Sequence, residues 1–190
     1  MSAQDQRNKN LIDLLKSKVG SLLKSSSLNL GDAEVLVEKE NLNEFFKLLK
    51  LDSDLKFDFF VSVTATDWLD SRDHRFELVY HLMSTSYRHR LRIKVNLDEE
   101  NSGVHSATSH WEGANFMERE VWDMYGIRFI DHPDLRRILM YEEFEGYPLR
   151  KDYPLRAKQP RIPLRSPEVR NTAMDMTRPK LVNIGSRKRV

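Results

Sequence analysis

The residues able to do chemistry crowd into one stretch. Glu118-Arg119-Glu120 and Asp123 are followed at short range by His132-Pro133 and Arg136-Arg137. Carboxylates beside guanidiniums can form an ion pair or hold a proton, and the helical period separates those roles. At about 100° per residue, Trp111, Ala114, Val121, Trp122 and Tyr125 share one side of a helix with Glu118 in their midst. Arg119 and Asp123 flank it as an i,i+4 pair, and Glu120 points away. A carboxylate inside an aromatic stripe must be paired or protonated, because an isolated buried charge is too costly. The expectation is therefore that Glu118 is largely buried and meets a guanidinium from Arg136 or Arg137. Two roles fit that carboxylate: an ion pair pinning the post-helix segment to the body, or a proton carrier.

Other chemistries find no support. His105 and His110 are five apart, the wrong spacing for two ligands on one helix face, and His74, His81 and His89 lie in or near expected strands. A zinc site needs three or four convergent ligands. His132-Pro133 reads as a turn, since proline forces extended geometry on the residue before it. The chain has no cysteine, which excludes disulfides, thiolate-bound zinc and a Cys-ligated iron–sulfur cluster carried by this chain alone. None of the seven glycines forms a GxGxxG or GxxxxGK[ST] loop, so NADH binding by this chain is not expected. No GxSxG context is present either.

These residues must be positioned by a body that periodicity outlines. Leu11, Leu14, Leu15, Val19, Leu22 and Leu23 form a helical stripe over 10–23. Gly31-Asp32 breaks the chain, and Ala33, Val35 and Val37 then alternate with glutamates as a short strand. Leu42, Phe45, Phe46 and Leu49 mark a second helix, with Asn41 or Asn43 as its cap. Three strands follow. Phe57, Phe59, Val61, Val63 and Ala65 share one face, and Phe76, Leu78, Tyr80 and Leu82 another. Leu91, Ile93, Val95 and Leu97 form the third, with Arg90, Arg92 and Lys94 outward. A break at 84–86 joins the last two as a hairpin. Such alternation marks a sheet with one buried face that helices must cover. The helix over 110–125 opens on a Ser109/Glu112 capping box and closes on Gly126 in the left-handed position. The fold class is α+β, a two-layer body of a mostly antiparallel mixed sheet covered by helices, over 1–146.

From Tyr147 the pattern changes. Pro148, Pro154, Pro160, Pro163, Pro167 and Pro179 interrupt a stretch rich in Arg and Lys, so no regular element persists there. Residues 1–146 hold 19 basic and 26 acidic groups and residues 147–190 hold 12 and 3, so a net charge of +2 hides an acidic body and a basic arm. Tyr147-Pro148-Leu149 and Tyr153-Pro154-Leu155 bracket Arg150-Lys151-Asp152; stiff, apolar-anchored segments of this kind bind partners or pack on their own body. The arm's composition suits nucleic acid through phosphate contacts or an acidic protein partner. Its apolar Ile162, Leu164, Met174, Met176, Leu181, Val182 and Ile184 favour the protein. No run of about eighteen apolar residues occurs to span a bilayer. The polar start lacks a signal core, so the chain is expected to begin near Met1 and to stay in the cytosol.

The run EREVWDMYGI (118–127), HPDLRRIL (132–139) and EGYPLRKDYPL (145–155) resembles the NuoC or thirty-kilodalton subunit family of respiratory complex I. The resemblance implies a non-catalytic structural subunit of the peripheral arm of a proton-translocating NADH:quinone oxidoreductase, on the cytoplasmic side of the cell inner membrane, with indirect membrane contact. It implies no cofactor in this chain; FMN, iron–sulfur clusters and quinone would belong to partner subunits. The partners implied are the D-like subunit and the B-like subunit that holds the terminal cluster, and the form is the one in which the C-type and D-like subunits are not fused. Interface residues implied by the matched run are Glu118, Arg119, Glu120, Asp123, His132, Pro133, Arg136, Arg137, Gly146, Pro148, Leu149, Arg150, Lys151, Asp152 and Pro154. The equivalent subunit of a related membrane-bound hydrogenase or of a dehydrogenase with another donor is the alternative; a basic-armed RNA-associated protein is a remoter one.

Overall fold

The computed structural model describes residues 3–156 and 158–160, with side chains from Gln6 onward. The chain divides into two compact units, Met1–Lys158 and Gln159–Val190. The expected arm therefore divides too: its start, through Arg156, is described and falls with the first unit, whereas 161–190 lie outside the described residues.

Helix α1 (Ala3–Val19) leads into strands β1 (Leu23–Asn29) and β2 (Asp32–Val37), then helix α2 (Leu42–Leu51) and strands β3 (Phe59–Asp67), β4 (Phe76–Met83) and β5 (Arg90–Leu97). Strand β6 (Val104–His105), a 3₁₀ turn (Ala107–Ser109), helix α3 (Ala114–Tyr125) and strand β7 (Phe129–Ile130) complete the described elements. The main sheet runs β1-β2-β5-β4-β3. Every neighbouring pair is antiparallel except β2 with β5, which is parallel. A parallel pair needs a long crossover, and α2 with the β3–β4 hairpin supplies it. The α+β class and the mostly antiparallel mixed sheet follow the alternation of the sequence.

One face of this sheet carries the core. Ala33, Val35, Leu78, Tyr80, Leu91, Ile93 and Val95 are buried there against Leu11 and Leu15 of α1 and Phe45, Phe46 and Leu49 of α2. Phe46 meets Tyr80 edge-on at 5.0 Å and Trp111 at 5.4 Å, geometry that suits the ring quadrupoles. The opposite face carries charged pairs. Lys94 bridges Glu34 at 3.1 Å and Glu77 at 3.5 Å, and Arg72 reaches Glu77 at 2.7 Å. The outward Arg92 and Lys94 of β5 are thus matched by acids on the strands beside it.

Three local readings need correction. Strand β3 does not bury every second residue from Phe57 onward. A bulge between Phe60 and Ser62 shifts its register, so Phe60 turns inward while Phe59 (53% exposed) and Val61 (40%) turn out. One extra residue exchanges the two faces of a strand. Strand β1 lies between the stripe read over 10–23 and the break at Gly31-Asp32, where no element was expected; its Ser25-Ser26-Ser27 core lacks apolar alternation, which suits an edge. Helix α3 starts at Ala114, and the hydroxyl that caps the preceding turn is Ser106, which accepts from the Thr108 N–H. Neither Ser109 nor an Asn41 side chain makes a cap bond.

Candidate functional site

Helix α3 lies against β3 and presents two buried carboxylates, Glu118 and Asp123, both with 0% exposure. Burial of Glu118 follows the stripe; its partner does not. Among the described residues no guanidinium reaches it. Its Oε2 accepts from Ser106 Oγ at 2.6 Å and its Oε1 from the Ala107 N–H at 2.7 Å. His132 lies beyond, Nε2 to Oε2 3.9 Å, too far for a hydrogen bond. Its tautomer follows from its partners. Nδ1 accepts from the Asp134 N–H at 3.0 Å, so the ring proton sits on Nε2, facing the Asn115 carbonyl at 3.2 Å. Burial pushes the Glu118 carboxyl up to about 7, against the opposing bonds from Ser106 and Ala107.

The guanidinium expected for Glu118 belongs to Asp123. Arg137 Nη1 donates to Asp123 Oδ1 at 2.6 Å. Asp123 Oδ2 accepts from three consecutive backbone N–H groups, Ile138, Leu139 and Met140, at 3.1, 2.8 and 2.9 Å. Burial works against the Asp123 anion, but the Met140, Arg137, Leu139 and Ile138 bonds outweigh it and hold its pKa below the usual value. Arg119 does not pair with Asp123 along the helix. It donates instead to the Arg136 and Arg137 carbonyls, both at 3.1 Å. Arg137 also bonds the Phe144 and Gly146 carbonyls at 2.9 and 3.1 Å. Arg136 stays at the surface, 68% exposed, with Asp134 at 3.0 Å. Glu120 and Pro133 are exposed.

A second clasp holds the start of the arm. The Leu149 N–H donates to the Met124 carbonyl at 3.1 Å, and Arg150 Nε donates to the Tyr125 carbonyl at 2.6 Å. The Lys151 N–H reaches Asp67 Oδ2 at 2.8 Å, and Asp152 pairs with Arg75 at 2.7 Å. Arg75, only 8% exposed at its side chain, also holds Asp67 at 3.3 Å and Glu99 at 2.5 Å. Burial of Asp67 is outweighed by its bonds from Lys151, Arg75 and Leu69, which keep it ionised below the usual range. Of the two readings open for Tyr147–Leu155, packing on the body is the one that the structure displays; Pro148 is half-buried, Pro154 and Leu155 exposed. Gly126 makes this fit possible: its φ is +79°, and an added Cβ would stand 2.5 Å from the Tyr147 ring. Gly146, at φ +88°, would set one 3.0 Å from Tyr153. Only glycine takes such backbone freely.

Ser106, Asp67, Arg75 and Glu99 were not anticipated. Asp67 stands opposite Phe76 in the β3–β4 register, so hairpin pairing could have suggested its Arg75 partner. Nothing in linear spacing marks Ser106. The histidines are scattered: His74 meets Asp98, His81 meets Ser62, His105 meets Asp131, and His110 meets Asn43. Among the described residues no group of three or more His, Cys, Asp or Glu could hold a metal, and no helix is long and apolar enough to cross a membrane.

Comparison with known proteins gives the family. Residues 35–159 match the model of the respiratory-chain NADH dehydrogenase 30 kDa subunit. The chain is 42% identical over 141 residues to the C-type subunit of NADH-quinone oxidoreductase from Hyphomonas neptunium, covering 74% of this chain and 69% of that one. It is 43% identical over 148 residues to the same subunit from Citrifermentans bemidjiense, covering 78% and 90%. Among solved structures it resembles a trypsin-resistant fragment of Nqo5, with a TM-score of 0.58, 31% identity, and coverage of 66% of this chain and 98% of that one. It shares a fold with a chain of an archaeal membrane-bound sulfane sulfur reductase (TM-score 0.67, 20% identity, 78% and 86% covered). The chain belongs to the 30 kDa subunit family of respiratory-chain NADH dehydrogenases, as one component of an oxidoreductase complex.

Proposed function

We propose that this chain is a structural subunit of the peripheral arm of a proton-translocating NADH:quinone oxidoreductase, on the cytoplasmic side of the cell inner membrane. It holds neighbours in place, chiefly the D-like subunit and the B-like subunit of the terminal cluster. FMN, iron–sulfur clusters and quinone lie in those and other partners, and the electrons from NADH pass through them. The contact surface is the 118–155 segment, with the expected interface residues lying on it or fixing its shape.

One observation carries this reading. The loop over 136–140 is tied to α3 by Arg119, Asp123 and Arg137, yet it turns Ile138 (37% exposed) and Leu139 (57% exposed) outward. The second clasp does the same for Leu149 (51% exposed). A segment so firmly held with its apolar side chains in water is preorganised to bind, because little entropy remains to lose. Electron transfer needs cofactors fixed to a fraction of an ångström by supporting shells, and a rigid docking edge meets that need.

The test is to tag the chain in its own cell, extract membranes in detergent and identify what co-purifies. The expected result is the full set of oxidoreductase subunits, and their loss with Leu139→Asp although that variant's urea midpoint stays near wild type. Recovery of wild type only as a free chain, or a full complement with Leu139→Asp, contradicts the proposal. The fold shared with the sulfane sulfur reductase chain favours one second reading, the equivalent component of a related hydrogenase or other-donor complex. NADH oxidation by the purified assembly separates the two.

A further inference from the structure

Glu118 stands at the head of a chain of hydroxyls. Its Oε2 lies 2.6 Å from Ser106 Oγ, and Ser106 Oγ lies 2.7 Å from Thr108 Oγ1, where either oxygen can be the donor. Glu118 and Ser106 are buried, and Thr108 is half-exposed. The chain therefore runs from the core to the surface in two steps.

Among the described residues the groups around the carboxyl leave it without a counter-ion. His132 does not bond the carboxyl: its Nε2 stands 3.9 Å from Oε2, and its Nδ1 accepts from the Asp134 N–H. Tyr80, from β4, is buried with its hydroxyl unpartnered among the described residues; burial and then the Glu118 charge raise its pKa, so it stays an uncharged phenol. Arg119 is committed to the Arg136 and Arg137 carbonyls, and Arg137 to Asp123. His105 is turned to Asp131. An unpaired buried carboxylate relieves its desolvation by taking a proton.

We propose that Glu118 is a proton-binding site that exchanges its proton with solvent through the hydroxyls of Ser106 and Thr108. In the protonated state the Glu118 O–H donates to Ser106 Oγ, the Ser106 O–H donates to Thr108 Oγ1, and the Thr108 O–H faces outward. On release, the Thr108 proton passes to water, the Ser106 proton to Thr108, and the Glu118 proton to Ser106. Ser106 then donates to the carboxylate and Thr108 to Ser106. One proton has left, no heavy atom has moved, and both hydroxyls are intact. Ser106 Oγ is satisfied in each state, since it also accepts from the Thr108 N–H at 3.1 Å. The carboxyl titrating at about 7 means that both states are populated near neutral pH. The site goes beyond the docking role and does not depend on it.

The test uses the purified full-length chain and infrared difference spectroscopy between acid and alkaline pH. A protonated-carboxyl band should titrate near neutrality and vanish in Glu118→Gln. Ser106→Ala, which removes a bond to the anion, should move that midpoint up by about one pH unit, a tenfold change in proton affinity. Thr108→Val should leave the midpoint in place but slow the band's relaxation after a pH jump several-fold, which a merely structural threonine would not do. Should Glu118→Gln fail to fold, the Ser106→Ala shift alone assigns the band in otherwise native protein. A midpoint in the ordinary carboxylate range overturns the site. Relaxation in Thr108→Val as fast as in wild type overturns the route.

Discussion

The two halves of helix α3 treat the same chemical group in opposite ways. Asp123 and Glu118 sit five residues apart and both are fully removed from solvent. At the C-terminal half, one guanidinium and three peptide N–H groups surround Asp123 and keep it an anion. At the N-terminal half, Glu118 has, among the described residues, one hydroxyl and one peptide N–H but no cation, and a carboxyl pushed to about 7. Burial alone therefore fixes neither charge state. The number and kind of donors decide, because each unit of pKa is about 1.4 kcal/mol of preference for one state. The anion organises a loop for a neighbour; the proton-holding acid stays inside.

Breaking the anion's clasp should have the largest effect. Arg137→Ala leaves the Asp123 carboxylate buried without its cation and should cost about 3–5 kcal/mol of unfolding free energy, read from urea denaturation. Next is the pH dependence of the other half. The Glu118 pKa is raised on folding, so its stabilisation is complete below the unfolded value near 4.5 and is lost as pH rises to about 7. The loss should approach about 3 kcal/mol, and Glu118→Gln should abolish that slope in urea midpoints taken between these limits. Asp123, lowered on folding, runs the other way: its contribution is present above about 4 and fades as pH falls further. Gly126→Ala places a side chain at positive φ against the Tyr147 ring and should lower stability by roughly 2 kcal/mol, visible as a lower melting temperature. Arg136→Ala, removing an exposed pair with Asp134, should change stability by less than about 0.5 kcal/mol. Any loss of assembled complex in that variant then reports a partner contact rather than misfolding.

Much of this architecture was readable from residue order, and the misses have physical causes. Strands β2, β4 and β5 announced themselves by the apolar alternation of their residues, which burial follows in β2 and β5, whereas Phe76–Tyr80 of β4 are buried throughout; Gly126 did so by its place after the last apolar residue of α3. The bulge in β3 was hidden, because Phe57, Phe59, Val61, Val63 and Ala65 alternate without a break and only the pairing to β4 reveals the extra residue. Strand β1 was hidden because an edge strand needs few apolar residues. The stripe on α3 correctly buried Glu118. It could not say which of two nearby acids would receive Arg137, since that depends on how the 132–140 segment folds back. With Asp123 one turn nearer the loop, the guanidinium and the three N–H groups converge there. Ser106 took the place beside Glu118 through β6 and its pairing to β7, two-residue strands too short for periodicity to mark.

The account turns on these two carboxyls being ionised differently within one helix. Carbon-13 NMR of the side-chain carboxyls in the full-length chain, followed from pH 3 to 9 with Glu118→Gln and Asp123→Asn for assignment, measures both at once. The account predicts that Asp123 is still charged well into acid while Glu118 changes state near 7. A shared midpoint around the ordinary carboxylate value, or the reverse order, would contradict it.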